Sequence, residues 1–383
     1  MKVRLLLCVM IAVSLFSCKR KGGADVTVPV PRDTVPQEEV FLPDTLPRTS
    51  ITFVLGKDNS DFNQYYTLAN YYYRLNPQDK TEIVIDSMTS MLEVYNYLKD
   101  NRPKNDRPYG LINLVSHGNQ FVDLKARVYP DGSRASTATL DKAIQDSLFL
   151  PLSTDIIDSL SVIYLHGCAI GNNKKLINKL GETFGREHNG VKVKASKYFE
   201  YYAYLAKNKN PSSIRHYFAK TWYGFYNPDH KPDDQGFADR LAAAYPDEDV
   251  NWMEGVQRCF QGNPSELYHF SFLVPLKWEE VFTDEAEVPL VNTKKRRSDW
   301  LENNREFSQL IAETGVPLEY FQMRYYKPKY KRDGKDLYGL RVTARSGVLS
   351  LIQPLLSDDE EERTRFVPYQ PDEEDTVFFE FAE

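Results

Sequence analysis

The chain has 383 residues, 42% of them apolar and 27% charged, with a mean hydropathy of −0.52. This composition excludes a disordered chain, a multi-span membrane protein and a collagen-like or coiled-coil rod, and the length predicts two folded units. The net charge of −6 supplies no basic field to hold phosphates, so nucleic acid is excluded as the main partner.

The first residues predict the compartment. Lys2 and Arg4 precede an apolar run from Leu5 to Phe16, and Ser17-Cys18 follows. These are the parts of a signal peptide over residues 1–17, and the run falls short of the roughly 20 residues that a bilayer span needs. Leu15-Phe16-Ser17-Cys18 resembles the bacterial lipobox. The resemblance implies cleavage before Cys18, lipid on Cys18, a mature charge of −8, and a location in the bacterial cell envelope with the lipid holding the chain to a membrane. Lys19, Arg20 and Lys21 lie where anionic headgroups would meet them. Residues 18–49 read as a tether, carrying Pro29, Pro31, Pro36, Pro43 and Pro47 and few large apolar side chains. Cys8 leaves with the signal and Cys18 takes the lipid, so Cys168 and Cys259 are the cysteines of the folded body. A disulfide between them and a nucleophilic Cys168 exclude one another.

In the body, residues 51–55 read as a strand and 61–75 as a helix with Phe62, Tyr65, Tyr66, Ala69, Tyr72 and Tyr73 near helical spacing. Residues 82–86 form a second strand, and Ser87 is placed to cap a helix bearing Met91, Leu92, Tyr95 and Leu98. Leu111-Ile-Asn-Leu-Val115 is a third strand running into Ser116-His117-Gly118. Residues 121–133 read as a hairpin around Asp131-Gly132, and Thr139 opens a helix to Leu148. Ser161-Val-Ile-Tyr-Leu165 is a fourth strand running into His166-Gly167-Cys168. Asn172 then caps a helix over 173–184, and 190–195 is a fifth strand. Strands alternating with helices predict an α/β fold, a mainly parallel sheet covered on both faces, whose ligands bind beyond the C-terminal strand ends. Both histidine-bearing motifs fall there. Beyond residue 200 the pattern predicts a smaller α+β region of unassigned role over 201–383: helices at 236–245 and 300–314 and strands at 267–276, 319–326, 337–343, 348–355 and 376–381. The basic run Lys294 to Arg297 and the acidic run Asp358 to Glu362 read as solvated loops.

A thiol nucleophile needs an accessible thiolate and a histidine to take its proton. His117 and Cys168 stand at one edge of the expected sheet, and a helix start just after Cys168 would favour the thiolate. Gly118 and Gly167 admit close backbone approach, and the amides of Gly118 and Cys168 are placed to receive an oxyanion. The two strand-end blocks, 111–118 and 162–168, resemble those of the caspase-like cysteine peptidases, the group of caspases, legumain, gingipains and clostripain. The resemblance covers residues 50–200. It implies a caspase-like αβα sandwich, Cys168 as nucleophile, His117 as general base and acid, Gly118 and Cys168 as oxyanion donors, and a peptide or protein substrate. His166 stands where that group usually has Gln, Glu or Asp, so no Arg or Lys preference carries over.

Three other readings use the same residues. Cys168 and His117 are packed structural side chains in the first, and His117, His166 and Cys168 form a His2Cys zinc site in the second. That set lacks a recognised ligand spacing, so no metal and no cofactor is expected. In the third, an envelope lipoprotein binds a peptide, glycan or protein partner in the strand-edge cleft without chemistry. Asp123, Asp155 and Asp158 are the nearest acids to the motifs and read as turn residues. His188, His216, His230 and His269 have no evident partner. Tyr198, Phe199, Tyr201, Tyr202 and Tyr204 border the cleft or pack the core.

Overall fold

The computed structural model describes residues 48–59, 64–77, 82–103, 107–205, 210–259, 266–356 and the backbone of 376–378. The signal peptide, Cys18, residues 18–47 of the tether and the acidic run at 358–362 lie outside the described residues. The folded body starts before residue 50: Thr49 is fully buried, and Arg48 makes a paired contact with Asp158 at 2.8 and 3.0 Å.

The first half follows the expected alternation: β1 (Ile51–Val54), α1 (Tyr65–Leu75), β2 (Ile83–Ile85), α2 (Met91–Asp100), β3 (Leu111–Asn119), β4 (Asp123–Leu124), α3 (Thr137–Gln145), β5 (Val162–Cys168), α4 (Lys174–Thr183), α5 (Arg186–Asn189) and β6 (Lys192–Ser196). These strands form a sheet in the order β2-β1-β3-β5-β6, parallel throughout, with β4 antiparallel on β3. Period-two alternation divides the faces. Ile51, Phe53, Ile112, Leu114, Ile163, Leu165 and Val193 meet α2, α3 and α4, whereas Val54 and Val115 meet α1. The caps differ locally from expectation. Ser90 rather than Ser87 caps α2, Ser136 caps α3 with Thr139 closing a capping box, and Asn173 rather than Asn172 caps α4.

The second half is a large antiparallel sheet: β7 (Phe199–Tyr204), β8 (Ile214–Tyr226), β9 (Tyr268–Phe282), β10 (Gln322–Tyr326), β11 (Lys329–Arg332) and β12 (Lys335–Pro354). β12 organises it, pairing with β9 along 338–352 on one edge and with β11, β10 and β8 in turn on the other. The two strands expected at 337–343 and 348–355 are therefore one, because Ser346 and Gly347 continue the ladder instead of breaking it. The expected helix at 300–314 is two, α8 (Lys294–Asn303) and α9 (Arg305–Glu313), divided where Asn304 ends one and caps the next. The basic run is consequently the first turn of α8, capped by Thr293, and not a loop. α6 (Asp234–Ala244) and α7 (Trp252–Gln257) cover Trp222, Tyr226, Leu349 and Leu351, while Phe307 and Ile311 of α9 pack with Val274, Trp278 and Val342. β13 (Thr376–Phe378) returns antiparallel to β6 of the first sheet.

The described residues form one compact unit, and the second sheet closes over the first. Tyr202 of β7 and Ile214 of β8 share a core with α1, Val54 and Val115. Phe121, in the loop after β3, inserts between Tyr223, Phe225 and Phe272 at centroid distances of 4.8, 5.8 and 6.1 Å. Among the described residues, no helix is long and apolar enough to cross a membrane.

Candidate functional site

β3 and β5 are neighbours, so His117 and Cys168 stand on adjacent parallel strand ends. Val115 pairs with His166 and Asn119 with Cys168, a register shift that lets β3 gain two residues at this edge. His117 is half-buried between two tyrosines of α1. Its ring stacks on Tyr65 at 4.5 Å and meets Tyr66 edge-on at 4.7 Å, and its amide donates to the Tyr66 hydroxyl at 3.1 Å. Burial, then the charge of Lys125, pushes its imidazole down to about 4, against a weaker pull from Asp58. The ring is neutral at pH 7. At Gly118 a side chain has no room, since a Cβ would lie 2.5 Å from the Asp123 carbonyl oxygen.

Cys168 keeps 9% of its surface exposed, and its Sγ donates to the Glu200 carbonyl of β7 at 3.6 Å. Burial, followed by the charge of Glu200, pushes the thiol far above the ordinary range. The helix-dipole activation expected from sequence is not in place. α4 begins only at Lys174, and residues 170–172 form a single 3-10 turn. Ala169, directly after Cys168, sits in the left-handed region at φ 54°, a conformation that costs a Cβ-bearing residue of the order of 1 kcal/mol. Its amide donates to the Tyr198 carbonyl at 2.9 Å, which ties the strand end to the start of the second sheet. The described cysteines, Cys168 and Cys259, are both free thiols, so no bridge removes Cys168 from chemistry.

Asp123 accepts from Asn173 Nδ2 at 3.1 Å and has φ 55°. Burial raises its carboxyl from 3.8 to about 6. Between these values the folded chain holds a proton that the unfolded chain has lost, so this group lowers stability as pH rises from about 4 to 6. His117 acts oppositely: its folded value of about 4 lies below 6.5, so its contribution to stability rises across that interval. The difference between wild type and Asp123→Asn isolates the first effect. Asparagine tolerates positive φ and carries no charge, so the variant is expected to match wild type near pH 4 and to gain about 1–2 kcal/mol above pH 6, half the ceiling from the shift because the group is partly solvated. Urea unfolding at several pH values checks this. Asp158 and Asp155 lie before β5, at the opposite end of the sheet, where Arg48 and Arg102 bind them.

His166 joins a separate buried group. Its Nδ1 lies 2.8 Å from Glu200 Oε2, and His216 Nε2 lies 2.9 Å from the same oxygen. Burial holds His166 below its ordinary value. Burial opposes ionisation of Glu200, but His166 and His216 outweigh it and hold the carboxyl below its ordinary range. The proposed His117, His166 and Cys168 ligand set therefore does not form a visible cluster. Among the described residues, the converging set is His166, Glu200 and His216, with ligand atoms within 4.8 Å of one another. Glu200 belongs to no motif in the sequence, and His216 has no evident partner there. The usable signal was a lone carboxylate inside the aromatic stretch Phe199 to Tyr204. Its partner became identifiable only through the β7–β8 register, in which Tyr202 pairs with His216 and Glu200 with Phe218. Tyr201 and Tyr202 are core residues, as the packing alternative anticipated.

Comparison with protein-family models, with curated proteins and with solved structures found no match in any of the three.

Proposed function

We propose that the protein is a lipid-anchored hydrolase that cleaves peptide bonds through Cys168 and His117, resting as a neutral thiol and neutral imidazole. One observation carries this reading: a parallel sheet ordered β2-β1-β3-β5-β6 brings His117-Gly118 and Gly167-Cys168 to the ends of adjacent strands. This is the arrangement that the resemblance to caspase-like peptidases implies. The strained residue after Cys168 also supports it, because strain at a sheet edge is held by its surroundings and recurs where a nucleophile is presented. A neutral imidazole is the form that accepts a proton, and attack by sulfur on a carbonyl carbon would pass the thiol proton to it and then to the leaving amine. The lipobox at Leu15 to Cys18 supports an envelope location with the lipid on Cys18.

A second reading has its own support. The Sγ bond to the Glu200 carbonyl and the cover provided by β7 favour a non-catalytic lipoprotein that binds a peptide, glycan or protein partner. Peptidyl acyloxymethyl ketones separate the two, because they alkylate a thiol only where an acyl site and a proton acceptor are assembled. With the full chain in bacterial membranes, in a Cys259→Ser background, the hydrolase reading expects an adduct on Cys168 found by peptide mass mapping. The adduct should be absent in Cys168→Ala, slowed about 100-fold in His117→Ala, and released from the membrane fraction by Cys18→Ala. No adduct from a probe library on a folded chain would overturn the hydrolase and leave the binding protein.

A further inference from the structure

The buried polar residues beneath the second sheet form a directed chain whose donors and acceptors can be assigned. Glu82 Oε1 accepts from the Thr52 hydroxyl at 2.8 Å, and an ionised carboxylate can only accept, so the Thr52 hydrogen is committed. Thr52 Oγ1 therefore receives Asn113 Nδ2 at 2.9 Å. That orientation turns Asn113 Oδ1, an acceptor, toward His166 Nε2 at 3.1 Å. His166 Nε2 must then carry hydrogen. The Tyr73 hydroxyl, 2.9 Å from the same nitrogen, accepts from the Tyr202 hydroxyl at 3.3 Å and has a second lone pair to receive the Nε2 hydrogen.

A neutral ring protonated at Nε2 presents a bare lone pair at Nδ1, and this faces Glu200 Oε2 at 2.8 Å. Two acceptors at that distance require something positive between them. A proton would satisfy Nδ1 but not the second carboxylate oxygen: Glu200 is 0% exposed, and its Oε1 has no hydrogen-bond partner among the described residues. A cation bound by both imidazoles and the carboxylate satisfies Nδ1, Oε2 and Oε1 together. The Asn113 contact then has the form of an outer hydrogen bond that orients a ligating imidazole.

We propose that His166, Glu200 and His216 form a three-ligand site for a divalent first-row cation, zinc above all, which clamps β5 of the first sheet to β7 and β8 of the second. Two imidazoles and one carboxylate suit zinc's preference for nitrogen and oxygen donors and leave a fourth position for water. The site is independent of any reaction at Cys168.

The test uses the full chain stripped by a chelator, in a Cys259→Ser background, because Cys259 Sγ lies 3.8 Å from His269 Nε2 and forms a competing surface pair. Zinc is titrated against a chromophoric chelator while thermal unfolding is followed. The expected result is one zinc per chain and a midpoint that climbs with free zinc, with both lost in His216→Ala. Cobalt in the unmutated site gives a readout that does not depend on a variant's folding. Intense visible ligand-field bands, without sulfur charge-transfer absorption, are expected for a four- or five-coordinate nitrogen and oxygen set. Zinc uptake below a tenth of an equivalent, the same uptake in folded His216→Ala, weak octahedral cobalt bands or a sulfur band would each overturn the proposal and leave the network closed by a proton.

Discussion

Glu200→Ala is expected to lower the unfolding free energy by about 3–5 kcal/mol, measured by urea denaturation in the presence of a chelator. Glu200 sits on β7 with no exposed surface, and both His166 and His216 bond to one of its oxygens. Removing it leaves two imidazoles in the interior without the carboxylate they share, and the cost is that of uncompensated burial rather than of a lost contact. Glu200→Gln keeps the shape and a carbonyl acceptor, so it should cost less. His216→Ala combined with Glu200→Ala should cost less than the two single changes together, because each already disables the shared bond. The exposed Lys142–Asp146 pair is the contrast: at 2.8 Å it is as short as the buried contacts, yet its side chains are 74% and 60% exposed and its removal should be undetectable. A Glu200→Ala chain as stable as wild type would mean that the polar chain beneath the second sheet contributes nothing to the fold.

Gly171→Ala is expected to cost about 3 kcal/mol, the upper end for overpacking, and to displace the Cys168 strand end. Gly171 lies in the turn that follows Cys168, against the first sheet's β6. A Cβ there would stand 2.5 Å from the Ala195 carbonyl oxygen and 2.7 Å from that of Ser196. Both obstacles are backbone, held in the β5–β6 and β6–β13 ladders, so neither can rotate aside. Gly224→Ala in β8 is the control: its Cβ would meet Phe237 at 3.6 Å, an ordinary contact, and the change should be near neutral. Equal midpoints for the two variants would show that the turn relaxes freely and that its path does not fix Cys168.

The first sheet was legible in the sequence because each strand is a short apolar run and each connection is long enough for one crossover helix. Those are local properties, and they are sufficient to bring His117 and Cys168 to a common edge. The caps shifted by one to three residues because serine, threonine and asparagine recur close together before α2, α3 and α4, and only backbone geometry selects among them. β12 looks like two strands in the sequence because Ser346-Gly347 is a local break signal, which pairing with β9 overrides along both halves.

The environment of each site residue was not legible, because it depends on chain far away in sequence. Residues 51–55, 111–115 and 161–165 determined by their own patterning that a parallel sheet would form and that the two strand-end motifs would share an edge. Only the tertiary structure decided what that edge contacts. β7 supplies the carbonyl to Cys168 and the carboxylate to His166, α1 supplies the tyrosines around His117, and β8 supplies His216. Periodicity records which face of a strand is buried, whereas charge state and partner depend on which distant element covers that face.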